Sequence, residues 1–133
     1  MGESVKFCCK FKHYKVIKAF RIKNRIDAQK VCKYKTFAYL FDTFSQSKFG
    51  GTGKTFNWML LTDIKKPIFL SGGLNAGNVN KAIQSVHPSW VDASSSLEAA
   101  PGKKDPGKVR KFVRAAKREY PELQHLPKVS HHR

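Results

Sequence analysis

The chain has 133 residues, enough for one domain with a hydrophobic core and too few for two of ordinary size. Its 26 Lys and Arg against 9 Asp and Glu give a net charge of +17, so a polyanionic partner has to be weighed. The excess is uneven: residues 1–35 carry a net +9, 36–100 a net +1 and 101–133 a net +7. The three cysteines, Cys8, Cys9 and Cys32, show no CxxC spacing. Adjacent cysteines rarely close a disulfide with each other, so a reducing, cytoplasmic setting is expected. His13, His87, His125, His131 and His132 have no metal-ligand spacing, and neither a metal nor another cofactor is expected. No apolar run approaches the roughly 18 residues that span a bilayer, and the first residues lack a signal peptide's apolar core.

Taken in order, Val5, Cys8 and Cys9 recur at i, i+3 and i+4, one face of a short helix within Ser4 to His13. Val16 to Phe20 reads as a strand. Lys18 in its middle is either a charge paired inside the fold or the mark of an edge. Asn24 offers an N-cap for a short helix carrying Ile26, Ala28 and Val31. Phe37 to Phe41 is an apolar run long enough for one buried strand and too short for a helix, and Asp42 follows it. Gly50, Gly51, Thr52, Gly53 and Lys54 then form a glycine-rich loop, and the apolar group Phe56, Trp58, Leu60 and Leu61 begins a helix or helical turn over Phe56 to Ile64.

Pro67 to Leu70 makes a third strand that runs into Ser71, Gly72 and Gly73. Asn75 can cap the next helix, where Val79, Ala82, Ile83 and Val86 recur at i, i+3, i+4 and i+7 until Pro88 stops it. Trp90 to Ala93 is the fourth strand and leads into Ser94, Ser95 and Ser96. A loop with Pro101 and Gly102 precedes Asp105, an N-cap with Pro106 at the first helical position, and Val109, Phe112, Val113 and Ala116 repeat the helical spacing. The expected organisation is one domain over 1–120 and a mobile basic tail over 121–133. Strands alternating with helices imply an α/β fold with a parallel sheet.

Three of the four strands end in small or acidic residues on the side of the sheet where such folds bind ligands. Gly72 and Gly73 before a helix, and Ser94 with Ser95, are each either a tight βα turn or a cradle of backbone N–H groups for phosphate. As a pair on neighbouring strands they match the phosphate site of many barrel enzymes. Asp42 and Asp92 end different strands. Either can cap a turn, or act as a proton donor if burial keeps it protonated. Capping explains Asp42 less well, because the following helix starts more than ten residues later. Lys54 with Thr55 does not complete a P-loop, since Lys48 stands where GxxxxGK[ST] requires glycine.

The runs FDTFSQSKFGGTGKTFNW, KPIFLSGGLNAGNV and VDASSSLEAAPGKKD, with VIKAFRIKN before them, resemble the phosphoribosylanthranilate isomerase family over roughly residues 2–118. The resemblance implies a (βα)8 barrel and a metal-free, cofactor-free Amadori rearrangement of N-(5-phosphoribosyl)anthranilate to the 1-deoxyribulose 5-phosphate product, a step of tryptophan biosynthesis. It implies Asp42 as the general acid on the ribose ring oxygen, and Gly72, Gly73, Ser94 and Ser95 as phosphate ligands. Asp92 matches an acid near the substrate's hydroxyls, and Gly50, Gly51, Thr52, Gly53 and Lys54 match the loop that lies over the site. Ser96 departs from the family's usual glycine and Gly77 from its usual acid.

A full barrel of this kind has eight strands in about 200 to 250 residues, whereas four strands are expected here. The chain aligns with the C-terminal half of the family, without the first strand's general-base cysteine and without the arginine that binds the anthranilate carboxylate. A partial barrel of four parallel strands is therefore expected. Its open edges and apolar face would be covered by an N-terminal half barrel or by self-association. The phosphorylated substrate is the expected small-molecule partner. The rival readings are a basic nucleic-acid-binding protein, for which no recognised motif is present, and another phosphate-binding barrel enzyme.

Overall fold

The structure is a computed structural model and describes residues 3–23, 25–43 and 55–118. A five-residue helix, α1 (Val5–Cys9), starts where the Ser4 hydroxyl accepts the Phe7 N–H at 3.1 Å. Cys8 turns inward and is buried while Cys9 is exposed, so the apolar face is narrower than the spacing suggested. Strand β1 (Ile17–Ile22) runs two residues beyond the expected Phe20 and alternates in burial, Lys18 and Ile22 inward and Ile17, Ala19 and Arg21 outward. Helix α2 (Ala28–Cys32) is capped by Asp27, whose carboxylate accepts the Lys30 N–H at 3.0 Å. That corrects the expected cap, Asn24, which lies outside the described residues.

Strand β2 (Ala38–Thr43) holds Asp42 within its last residues rather than just after them. Between Phe56 and Ile64 the chain makes a single 3-10 turn, Trp58–Leu61, with both of those residues buried. Strand β3 (Ile68–Leu70) leads to helix α3 (Val79–Val86), which starts later than expected: Asn78 occupies the cap position and Asn75 shapes the turn before it. The helix ends at His87 in a left-handed conformation, φ +48°, ahead of Pro88. Strand β4 (Trp90–Val91) is two residues long, and Ser95–Leu97 forms a second 3-10 turn. The segment expected as a loop is in part a small antiparallel hairpin of β5 (Glu98–Ala100) and β6 (Lys103–Lys104) around Pro101 and Gly102. Helix α4 (Pro106–Arg118) begins as expected, with the Asp105 carboxylate accepting the Lys108 N–H at 2.9 Å. The tail beyond it, and the loop from Gly50 to Lys54, lie outside the described residues.

The strands β1, β2, β3 and β4 pair in that order and all run parallel. Because successive side chains alternate between faces, one face of the sheet carries Tyr39, Phe41, Ile68 and Leu70, which join Ile83 of α3 and Phe112 of α4 in the core. Each such side chain contributes about 1.5–3 kcal/mol when fully buried, which is why the helices lie on this side. The opposite face has no helix over it among the described residues. Ile17 and Trp90 on it are 43% and 40% exposed, and the rings of Phe69 and Trp90 stack with centroids 4.2 Å apart. A parallel sheet with helices on one face and a bare apolar surface on the other is the geometry of a barrel wall seen from within. The fold is an α/β partial (βα)8 barrel.

Lys18 is paired inside the fold. Its ammonium lies on the helix-covered face, 2.9 Å from the Glu3 carboxylate and 5.4 Å from the centre of the Tyr34 ring. Among the described residues no helix is long and apolar enough to cross a membrane.

Candidate active site

The register builds the site. In a parallel pair, partners in register present their side chains on the same face, and Arg21 of β1 is the partner of Asp42 in β2. The ladder continues one step past β3, since the Ser71 N–H donates to Phe41 O at 2.8 Å and the Asp92 N–H donates to Leu70 O at 2.8 Å. Arg21, Asp42, Ser71 and Asp92 therefore form one polar row across all four strands at their C-terminal ends. Immediately below it runs an apolar row of Ala19, Leu40, Phe69 and Trp90.

Within the row the Ser71 hydroxyl donates to Asp92 Oδ2 at 2.9 Å. Asp42 is half-buried, and that burial raises its carboxyl above the ordinary aspartate value. The charge of Arg21 and the Thr43 N–H oppose the rise, and Asp92 adds to it. A carboxyl group shifted upward by desolvation at a strand end holds its proton to higher pH than an ordinary aspartate and is the better suited to act as a proton donor. Its position is fixed by close approach of the next strand. Gly72 has φ +85°, and a Cβ there would stand 2.2 Å from Thr43 N and 2.6 Å from Asp42 Oδ1. The Thr43 hydroxyl closes the contact by donating to Gly72 O at 3.2 Å.

The two loops proposed from sequence as an anion cradle are physically joined. Gly73, at φ +69°, accepts from the Asn78 side-chain amide at 2.9 Å, and Asn78 Oδ1 accepts the Asn75 N–H at 2.8 Å. Ser96 donates to Leu74 O across the gap between the loop after β3 and the loop after β4. Ser94 is held from the other side by Lys104, whose ammonium donates to Ser94 O at 2.9 Å, Ser94 Oγ at 3.1 Å and Glu98 Oε1 at 2.7 Å. Asp42, Gly72, Gly73, Asp92, Ser94 and Ser95 thus lie on one rim. Arg21 and Lys104 were not foreseen. The reading of β1 stopped at Phe20, one residue short of Arg21, and Lys104 sits in the hairpin taken for a loop. The residue types along IKAFRI gave no signal for Arg21, since apolar Ile17 and Ala19 are exposed and charged Lys18 is buried.

Among the described residues no three His, Cys, Asp or Glu side chains cluster as a metal site. A cavity of about 330 Å³ lies at the opposite, N-terminal end of β1 and β2, lined by Cys8, Phe11, Tyr14 and Phe37 among others. In barrels of this type chemistry belongs to the C-terminal end and the other end to stability.

A family model described as N-(5'-phosphoribosyl)anthranilate (PRA) isomerase matches residues 3–115. The chain belongs to the N-(5'-phosphoribosyl)anthranilate isomerase family. A relative of that name from Geotalea uraniireducens is 48% identical over 117 residues, which cover 86% of this chain and 57% of the relative. The crystal structure of phosphoribosyl anthranilate isomerase from Thermotoga maritima superposes with a TM-score of 0.74 at 40% identity, over 86% of this chain and 58% of that one. A further isomerase structure, in complex with reduced 1-(o-carboxyphenylamino)-1-deoxyribulose 5-phosphate, superposes with a TM-score of 0.69 at 37% identity and covers 55% of that chain. The chain thus spans a little over half the length of the isomerases it matches. The uncovered portion of those relatives is close in size to the four further strands that a barrel would require.

Proposed function

We propose that this chain supplies the proton donor and the phosphate cradle for the isomerisation of N-(5'-phosphoribosyl)anthranilate to 1-(2-carboxyphenylamino)-1-deoxyribulose 5-phosphate. The observation that carries this reading is the row of Arg21, Asp42, Ser71 and Asp92, with two tied loops beside it on the same rim. Gly72, Gly73, Ser94 and Ser95 hold the phosphate through backbone N–H groups and hydroxyls. Asp42 gives its proton to the ribose ring oxygen as the C1′–O bond breaks, and the anilino nitrogen lone pair forms the iminium. A base then removes the C2′ proton to give the enolamine, and tautomerisation yields the ketose. Asp92, held by Ser71, faces the sugar hydroxyls. Gly50, Gly51, Thr52, Gly53 and Lys54 form the cover, outside the described residues. The family member bound to the reduced product analogue supports a phosphorylated ligand of this kind.

The base and the anthranilate-binding arginine come from four further strands, which pair with the free edges of β1 and β4 and cover Leu40, Phe69 and Trp90. The N-terminal half of a family member fits that role. The test mixes this chain with such a half and follows product formation. Turnover by the mixture is expected, and Asp42→Asn should lower kcat by about 10²- to 10⁴-fold, the usual contribution of a general acid. Undiminished turnover in that variant would refute the role of Asp42. A mixture that binds neither phosphate nor substrate would refute the whole reading.

A further inference from the structure

We propose that Arg21, on the neighbouring strand and in the same cross-strand row, is the charge partner that tunes Asp42 for proton transfer. The inference rests on the role given to Asp42 above and adds a residue to it. Three observations lead there. Arg21 and Asp42 are register partners, and neighbouring strands lie about 4.8 Å apart, so both side chains leave the same face at adjacent positions. Among the described residues Arg21 enters no ion pair, which leaves its guanidinium available at the rim. Asp42 is also the centre of opposing influences, with burial and Asp92 favouring the neutral carboxyl while Arg21 and the Thr43 N–H favour the ionised one.

The charged groups that face Asp42 among the described residues are thus Arg21 from β1 and Asp92 from β4, with neutral Ser71 and Gly72 contributed by β3 and its loop. The consequence is a division of labour. Gly72 fixes where the carboxyl group stands by leaving no room behind it. Arg21 acts on it from the neighbouring strand as a nearby positive charge, which favours the ionised carboxylate. It also limits the upward drift that burial alone would cause. An acid held too high would keep its proton when the ring oxygen needs it, and one held too low would have none to give.

The test is a carbon-13 carboxyl titration of the chain labelled at aspartate, with the Asp42 signal identified by its loss in Asp42→Asn. In Arg21→Met the Asp42 midpoint should rise, by less than a buried neighbouring charge would cause because Arg21 is exposed to solvent, and Arg21→Lys should bring it part of the way back. Should the Met variant fail to fold by circular dichroism, Arg21→Gln gives the same reading. A midpoint that stays in place or falls overturns the proposal. This measurement needs neither substrate nor a partner half, so a shifted midpoint in a protein without isomerase activity would count against the proposed reaction and leave the Arg21–Asp42 coupling standing. In the reconstituted barrel the pH profile of kcat should move with the titration while KM changes little.

Discussion

Replacing Gly72 by alanine asks for two distortions at once. The position has φ +85°, where an L-residue loses about 1–2 kcal/mol relative to glycine. The new Cβ would also stand 2.2 Å from Thr43 N and 2.5 Å from Thr43 Oγ1, so the end of β2 or the loop after β3 has to shift, at about 1–3 kcal/mol for overpacking of this kind. The total is about 2–5 kcal/mol. Gly102 is an internal control, because its φ is +77° and nothing lies within 4 Å of its Cβ position. Gly102→Ala should therefore show the conformational part alone, about 1–2 kcal/mol. With a urea dependence of about 1–3 kcal/mol per molar, the unfolding midpoint of Gly72→Ala should lie below that of Gly102→Ala by about 1 M. Since Asp42 Oδ1 is one of the atoms displaced, the same variant should lose turnover in the reconstituted enzyme. Equal midpoints for the two alanine variants would refute the packing argument.

Asp42→Asn should stabilise the chain at neutral pH. A carboxyl whose value is raised on folding favours the folded state below the unfolded value, and that contribution is lost as pH rises through the folded one. The gain over the parent should therefore close below about pH 4, the ordinary aspartate value; a gain that grows in acid would contradict this sign. Lys18→Met should be tolerated or stabilising by thermal unfolding, because it removes a buried cation and leaves Glu3, which is largely exposed, in water. Glu3→Gln should be the more damaging change, since it strips the buried ammonium of its charged partner. Ser96→Ala removes the hydroxyl that joins the two loops at Leu74 O, an expected loss of about 0.5–1.5 kcal/mol, with weaker binding of inorganic phosphate by calorimetry.

Much of this fold is legible because strong local signals agree with the tertiary answer. Val79, Ala82 and Ile83 are all buried, as their helical spacing requires, and Asp105 followed by Pro106 starts α4 where capping chemistry says it should. The errors fall where two residues offer the same chemistry. Asp27 rather than Asn24 caps α2, and Asn78 displaces Asn75, yet both asparagines of the second pair are used, Asn75 Oδ1 accepting the Gly77 N–H at 2.8 Å. The hairpin at Glu98–Ala100 and Lys103–Lys104 escaped because strands this short carry no alternation to read, although Pro-Gly with positive φ at the glycine is a turn signature. The polar row itself is a property of register. Asp42 and Asp92 were recognisable as strand ends, but only pairing across the sheet sets Arg21 beside Asp42 and Ser71 beside Asp92.

That row also couples assembly to chemistry. On one side Asp42 rests against Gly72 and Thr43, and on the other it borders the bare face where Ile17 and Trp90 remain 43% and 40% exposed. A half barrel docking there would withdraw water from the apolar row and from the carboxyl group above it. Further desolvation raises a carboxyl's value, so Asp42 should take up a proton when the barrel closes. In the pH range where Asp42 titrates, docking of the N-terminal half should then show net proton uptake, read as a difference in binding heat between buffers of unlike ionisation enthalpy, and Asp42→Asn should abolish that difference. Proton release, or uptake that survives in Asp42→Asn, would place the coupled group elsewhere. If the expected result holds, the proton donor is fully charged with its proton only in the assembled barrel, and the same contact that hides the apolar face prepares the acid for ring opening.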